Sequence, residues 1–195
     1  LSNPVSFIFQ PAEEGGHGAK RMIEEGALKG IDMIYGWHNW PAIKFGQAVC
    51  PDGTVMAGNG TVHIDVIGKG GHSSQPELCQ DSILAASAIT MALQQIISRQ
   101  VSPQDSAVVS VTSIDGKSEL TTIPNLVKVE GSIRVPNEMI KKEIFSKIKS
   151  ITEATAVAYN VEVEIELRNR YGATVNHNEQ AKNMRIALEK ELGEK

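Results

Sequence analysis

The sequence has few of the features that assign a chain to a specialised class of protein. Only two of its 195 residues are cysteine, Cys50 and Cys79, and they form no Cys-x-x-Cys pair. This usage indicates reduced thiols in a cytoplasmic protein rather than a disulfide framework. No apolar stretch reaches the length of a membrane-spanning helix, and no signal-like segment stands at Leu1.

Positive charge is also not in excess. The formal net charge is -4, and basic residues form no stripe for nucleic acid and no polybasic membrane anchor. We therefore expect neither a nucleic acid nor a membrane as a partner. The apolar content is sufficient for a real core in one large or two small domains.

Two adjacent glutamates follow a short apolar run near the start of the chain. Residues 5–9 have the pattern of a strand buried on both faces, and Pro11 ends it. Glu13 and Glu14 then lie just beyond the strand's carboxyl end, where open α/β sheets bind ligands. Adjacent carboxylates repel unless a cation lies nearby or one holds a proton. The pair alone also fits the positive amino end of a following helix.

A second stretch favours a metal site. Residues 31–35 predict another buried strand, which Gly36 ends just before His38. The two strands would bring Glu14 and His38 to the same sheet edge. A carboxylate and an imidazole suit zinc or a similar ion.

The pattern changes near Gly60 to alternating strands and longer helices. The order is strand, helix, strand, strand, helix, strand, which predicts a ferredoxin-like sheet with two helices on one face. Asp81 and Asn137 are placed to cap the two helices. The predicted elements, in order, are a strand near residues 62–66, a helix over 81–99, strands over 107–114 and 126–135, a helix over 137–158 and a strand over 161–167.

The second of these helices has a clear apolar face, predicted to be Ile140, Ile144, Ile148, Ile151 and Ala158. Its solvent-exposed side is predicted to hold Lys141, Lys142, Lys147 and Lys149. A closing helix is expected over residues 178–192. It has no partner nearby in the sequence, so we expect it to return to the first domain. The predicted domains are residues 1–59, 60–171 and 172–195, with hinges near Asn59 and Tyr171.

Three motifs carry a family resemblance: QPAEEGG, GWHNWP and GKGGHSSQP. In this order they resemble the dinuclear-metal amidohydrolases that include aminoacylase-like enzymes, hippurate hydrolases and plant auxin-conjugate hydrolases. The resemblance covers nearly the whole chain. It implies an α/β fold, in which part of a di-zinc-peptidase-like catalytic domain carries an inserted ferredoxin-like lid and dimerisation domain.

The resemblance also implies roles for individual residues. Glu13 matches the general base, while Glu14 and His38 match metal ligands. His72 matches a lid histidine that hydrogen-bonds the oxyanion. In the family this histidine reaches the active site of the other subunit of a dimer. On sequence alone, His72 could equally be a surface residue.

Two further lid residues match substrate-binding positions. Arg134 matches an arginine suited to a substrate carboxylate, although an exposed cross-strand charge would fit the pattern equally well. Thr121 stands two residues before Ile123-Pro124, where the family usually has asparagine. A hydroxyl cannot replace the paired donor and acceptor of a carboxamide, so substrate anchoring differs here.

The implied activity is hydrolysis of the amide bond of an N-acyl amino acid, with water activated by two divalent ions and Glu13 as the base. Zinc, manganese, cobalt and nickel all suit the ligands. A homodimer through the lid is implied. The family takes further ligands from before the glutamate pair and from near the C-terminus. We therefore expect this chain to be an internal piece that is inactive and binds metal poorly by itself.

Two other functions fit parts of the pattern. A dipeptidase or carboxypeptidase would keep the fold and the two metals but cleave a peptide bond. A ferredoxin-like binding or dimerisation module would keep only a remnant of the metal site.

Overall fold

The computed structural model describes residues 4–13, 15 and 17–193. The chain groups into two compact units, Leu1–Phe45 and Gly46–Lys195. Strands and helices are mixed along the second unit, which confirms the predicted α/β class. Among the described residues, no helix is both long enough and apolar enough to cross a membrane.

The first unit has little regular structure. Its described residues contain one helix, α1 (Gly18–Glu24). Gly26 follows that helix with a φ of 94° and donates its amide to the Ile23 carbonyl at 3.0 Å. Glycine adopts this left-handed conformation readily, and it commonly ends a helix in this way.

The two strands predicted in this unit are wrong. Residues 5–9 and 31–35 form no strand, and apolar side chains in both are exposed, with Phe7 at 83% and Ile34 at 64%. A strand is made by hydrogen bonds to a neighbour, and no described residue of this unit supplies that ladder. The apolar residues in these two segments are of the kind that proteins usually bury, but this unit leaves many of them exposed.

The second unit holds the remaining elements. Its strands are β1 (Gly53–Met56), β2 (Gly58–Ile67), β3 (Gly71–His72), β4 (Val108–Asp115), β5 (Thr122–Ile123), β6 (Leu126–Val135), β7 (Glu162–Tyr171) and β8 (Thr174–Asn176). Its helices are α2 (Ser82–Leu93), α3 (Glu138–Ala158) and α4 (Asn178–Leu192). A 3-10 turn (Pro76–Leu78) precedes α2, and a π-helical turn (Ile96–Gln100) extends it.

A four-stranded antiparallel sheet organises this unit. Its strand order is β4-β6-β2-β7, and both α2 and α3 pack against it and against each other. Together with the chain order, this is the ferredoxin-like arrangement that the sequence predicted. The core lies between sheet and helices and includes Ile64, Ile89 and Ile144, each fully buried.

Alternation along the strands separates the two faces of the sheet. On β6, Val127, Val129 and Ile133 are buried, while Lys128 and Glu130 between them are exposed. One face is therefore packed and the other polar, as period-two alternation requires. His63 lies on the open face.

The helix caps follow the prediction. The Asp81 carboxylate accepts from the amides of Ile83 and Leu84 at 2.9 and 3.0 Å, and the Asn137 side chain accepts from the Ile140 amide at 2.9 Å. Each cap satisfies amides that the helix itself cannot. On α3 the predicted apolar face needs one correction, because the buried position near its end is Ala156 rather than Ala158.

Lys141 is a second correction on α3, because it is buried rather than solvent-exposed. It is only 2% exposed, and its ammonium donates to Glu138 Oε1, Asn169 Oδ1 and the Tyr171 carbonyl at 2.6, 2.8 and 3.2 Å. Three acceptors replace the water that the charge loses on burial. Lys141 thus fastens the start of α3 to the end of β7.

Segments on either side of the four-stranded sheet meet each other. β1 pairs with β8, and Arg185 of α4 donates to the Cys50 carbonyl and to Asp52, each at 2.8 Å. Residues 50–56 and 174–185 therefore pack together outside the sheet. Both Cys50 and Cys79 are free thiols.

Candidate functional site

The glutamate pair lies in the first unit. Glu13 is exposed in a turn that follows Ala12, whose φ of 51° is left-handed. Glu14, the predicted metal ligand beside it, lies outside the described residues. Solvent can therefore reach the Glu13 side chain.

His38 is held in one orientation by its neighbours. Its ring Nδ1 lies 2.7 Å from the Asn39 carbonyl oxygen, and its ring centroid is 5.8 Å from that of Trp40. A carbonyl oxygen only accepts, so Nδ1 carries the proton and donates. In the neutral ring, Nε2 then keeps a free lone pair. A histidine that ligates a metal commonly donates its other N–H to a carbonyl in this way, so the local chemistry fits a ligand.

The described residues contain no cluster of three or more histidine, cysteine, aspartate or glutamate side chains that could hold a metal ion. Glu13 and His38 belong to the first unit, whereas the other predicted site residues, His72, Thr121 and Arg134, belong to the second.

The glycines of the GKGG motif allow close backbone approach around His72. A Cβ on Gly68 would lie 2.2 Å from the Gln80 carbonyl oxygen, and one on Gly70 would lie 2.3 Å from that of Ile123. No side chain fits at those distances. These glycines therefore allow the loop to pack closely against the backbone at Gln80 and at Ile123.

Backbone bonds fix the loop on both sides of His72. Gly71 and His72 pair with Ile123 and Thr122 in the short β3-β5 ladder. The Ser73 amide donates to the Thr121 carbonyl at 2.9 Å. The structure thus brings two predicted site residues, His72 and Thr121, to the same end of the sheet, and both are exposed.

Two residues that hold this loop were missed in the sequence. Ser74 lies with its hydroxyl oxygen 2.7 Å from His72 Nδ1, and the Asn125 side chain accepts from the Gly70 amide at 2.8 Å. A polar residue two positions after a histidine is a weak signal for such a contact. The Asn125 bond spans 55 positions, which no local pattern indicates.

Arg134 lies at the other end of the sheet. It pairs with Asn59 near the start of β2, and one terminal guanidinium nitrogen donates to Ser132 Oγ at 2.8 Å and to the Ile133 carbonyl at 3.3 Å. The His72 loop joins the end of β2 that pairs with Leu126. The eight residue steps from Leu126 to Arg134 correspond to roughly 27 Å along β6. The structure therefore does not bring Arg134 and His72 together.

The middle of the open sheet face is charged. His63 Nδ1 lies 3.0 Å from Glu130 Oε1, and Arg168 donates twice to Glu166, at 2.6 Å each. This bidentate bond lowers the pKa of Glu166 from its ordinary value. Together with Asp65 and Lys128, these side chains line a shallow polar depression of about 220 Å³.

Comparison with known proteins supports one family over the whole chain. The family described as Peptidase family M20/M25/M40 matches residues 1–195. Hippurate hydrolase from Campylobacter jejuni is 38% identical over 100% of this chain and 51% of its own length. N-acetyl-L-cysteine deacetylase from Bacillus subtilis is 35% identical over 85% of this chain and 40% of its own.

Solved structures give the same result. A Staphylococcus aureus protein provisionally described as an aminohydrolase superposes with a TM-score of 0.86 and 35% identity, covering 93% of this chain and 48% of that one. The Bacillus subtilis YXEP protein, described as a dinuclear metal binding peptidase of the M20 family, has a TM-score of 0.76 and 27% identity over 94% and 46%. The chain spans about half the length of the curated relatives it matches.

Proposed function

The chain belongs to peptidase family M20/M25/M40, and we propose that the whole protein hydrolyses the amide bond of N-acyl amino acids with two divalent metal ions. The observation that carries this proposal is the identity to two relatives named for such chemistry. One is named for hippurate and the other for N-acetyl-L-cysteine, and in both compounds an acyl group is joined to an amino acid by an amide.

The proposed metal ligands from this chain are Glu14 and His38. The bond from Nδ1 to the Asn39 carbonyl leaves the His38 Nε2 lone pair for an ion, which supports its role. When bound, the ions lower the pKa of a coordinated water and polarise the amide carbonyl. Zinc, manganese, cobalt and nickel all suit this pair of ligand types.

Glu13 is the proposed general base. Its carboxylate takes a proton from the attacking water and then gives it to the leaving amine nitrogen, so one group serves in both steps. The N–H of His72 donates a hydrogen bond to the carbonyl oxygen as negative charge develops on it. The Arg134 guanidinium binds the substrate carboxylate through nitrogens other than the one bonded to Ser132. Thr121 lies beside His72, at the rim of the same site.

The separation of His72 and Arg134 supports a homodimer. An N-acyl amino acid is about the size of a dipeptide, which spans roughly 7 Å when extended. That is far less than the roughly 27 Å between the two ends of β6. One substrate can therefore meet both side chains only if they come from different copies of the sheet.

The domain division is part of the proposal. Residues 60–171 form the lid, and residues 1–59 and 172–195 belong to the catalytic domain. The pairing of β1 with β8, which joins segments on either side of the lid, supports this division. The two free thiols are in keeping with a cytoplasmic location.

The test measures amine release by the whole protein from N-acetyl and N-benzoyl amino acids and from dipeptides, before and after chelation and reloading with each metal. We expect cleavage of the acyl amino acids that is lost on chelation and restored by metal. Preference for dipeptides would favour a peptidase instead. Inactivity on every substrate with metal bound would favour a binding module.

A further inference from the structure

We propose that Ser74 is a positioning residue that holds His72 in the tautomer with its proton on Nε2. The inference rests on the proposed role of His72 as a hydrogen-bond donor, and it deepens that role by naming which ring nitrogen donates and what selects it. His72 is exposed, so burial does not fix its ring.

The hydrogen bonds at His72 Nδ1 decide the position of the proton. The Ser74 amide donates to Nδ1 at 3.2 Å, and a backbone amide can only donate. Nδ1 must therefore offer a lone pair, which places the proton of the neutral ring on Nε2. The Ser74 hydroxyl, 2.7 Å from the same nitrogen, is then also a donor to it.

This arrangement makes Nε2, the ring nitrogen that Ser74 does not contact, a donor. Both donors come from one residue, and they occupy the Nδ1 side of the ring. Because Nε2 carries the proton, it offers an N–H to a carbonyl oxygen, which is the hydrogen bond that stabilises a developing oxyanion. A ring with the opposite tautomer would present a lone pair there and repel the same oxygen.

The neighbouring backbone keeps Ser74 in place. The Ser73 amide is bonded to the Thr121 carbonyl, and the β3-β5 ladder holds His72 itself. The histidine and the serine that orients it therefore sit on one fixed turn. The hydrogen bond at one ring nitrogen of a histidine decides whether the other ring nitrogen carries the proton.

Ser73 provides a matched control. It is the adjacent serine and is also exposed, and its amide rather than its side chain makes the bond to Thr121. Removing its hydroxyl leaves both donors to His72 in place. Ser74→Ala removes the closer donor, and Ser74→Thr retains a hydroxyl at the same position.

The experiment determines the tautomer by long-range proton–nitrogen NMR. It uses the ¹⁵N-labelled whole protein at a pH high enough for the His72 ring to be neutral. His72→Gln identifies the His72 signals. We expect wild type, Ser73→Ala and Ser74→Thr to show an unprotonated, hydrogen-bonded Nδ1 and a protonated Nε2. In Ser74→Ala only the amide donor remains, so we expect the Nδ1 signal to move part of the way toward the averaged value of a mobile histidine.

Activity of the whole protein gives the second readout. Loss of one neutral hydrogen bond predicts a fall in kcat of about three- to tenfold in Ser74→Ala, little change in KM and recovery in Ser74→Thr. An unchanged His72 spectrum in Ser74→Ala, or a proton on Nδ1 in wild type, overturns the proposal. If the spectrum shifts as expected but His72→Gln is fully active, the role of His72 in the proposed function is wrong while the action of Ser74 on the ring stands.

Discussion

The two ends of the four-stranded sheet are built differently. At one end the His72 loop is exposed, and backbone bonds and glycine contacts hold it against residues 121–125. At the other end, near Arg134, the buried Lys141 ammonium ties α3 to the last residues of β7. The first end presents a side chain to its surroundings. The second anchors the chain where it leaves the sheet.

This difference bears on which side chains one copy of the sheet can supply to the proposed substrate site. In the proposed function, each end carries a side chain for a different part of the same small substrate: His72 is a donor to the carbonyl, and Arg134 is a guanidinium for the carboxylate. The rigid strand between them keeps them apart. A site that needs both has to be shared between two sheets.

The largest expected effects come from removing these two side chains in the whole protein. His72→Ala should lower kcat by about 100- to 1000-fold, because it removes an oxyanion donor. Arg134→Ala should instead raise KM by roughly 10- to 100-fold, the range expected for a lost hydrogen bond to a charged group. Steady-state kinetics on an N-acyl amino acid separates the two. His63→Gln and Arg170→Ala, changes at polar positions of the sheet that carry no proposed role, serve as controls. If both variants change kcat and KM alike, the assignment of separate roles is wrong.

The next effect tests the anchored end. Lys141→Ala leaves Asn169 Oδ1 and the Tyr171 carbonyl without their donor, which should lower the free energy of unfolding by roughly 2–4 kcal/mol. The half-exposed Glu138 adds little to this loss. Urea unfolding followed by circular dichroism measures it.

Lys142→Ala is the matched control for that measurement. Lys142 is the next residue on α3 and is exposed, so its loss should change stability by less than about 0.5 kcal/mol. Equal stabilities of the two variants would mean that the buried ammonium does not fasten α3 to β7.

The smallest effect lies between the two ends, on the open face. The bidentate bond from Arg168 holds the pKa of Glu166 below its ordinary value, so Arg168→Ala should let that pKa rise. A lowered carboxyl pKa stabilises the fold above the unfolded-state pKa, and this contribution is lost as the pH falls. Both side chains are exposed to solvent, so we expect a change in the titration of Glu166 without measurable loss of stability. NMR titration of the side-chain carboxyl carbon tests this, with Arg170→Ala as the control.

Much of the second unit could be predicted from the sequence, because its signals are local and agree with one another. Alternation on β6 and β7, the apolar face of α3 and the caps at Asp81 and Asn137 each depend on neighbouring residues. Together they specified the ferredoxin-like order. Ala158 was misplaced because a helix face drifts over six turns, and the end of the apolar stripe is set by packing.

The remaining features depend on contacts that no local pattern records. Lys141 looked like one of four solvent-exposed lysines, and only β7, some 30 positions away, shows why it is buried. The strand patterns at residues 5–9 and 31–35 indicated burial but could not indicate a ladder partner. At the predicted site, the motifs pointed to His38 and His72, whose roles stay predictions. The structure was needed to find their partners, the Asn39 carbonyl beside His38 Nδ1 and the Ser74 hydroxyl beside His72 Nδ1.

The most direct test of the shared site mixes two variants of the whole protein, His72→Ala and Arg134→Ala, after dissociation and reassociation of the subunits. Random pairing makes half of the dimers mixed, and each mixed dimer would hold one complete site and one lacking both side chains. The account predicts recovery of about a quarter of the wild-type activity. If the mixture is no more active than the separate variants while mixed dimers are shown to form, His72 and Arg134 do not meet across two copies, and the shared site is contradicted.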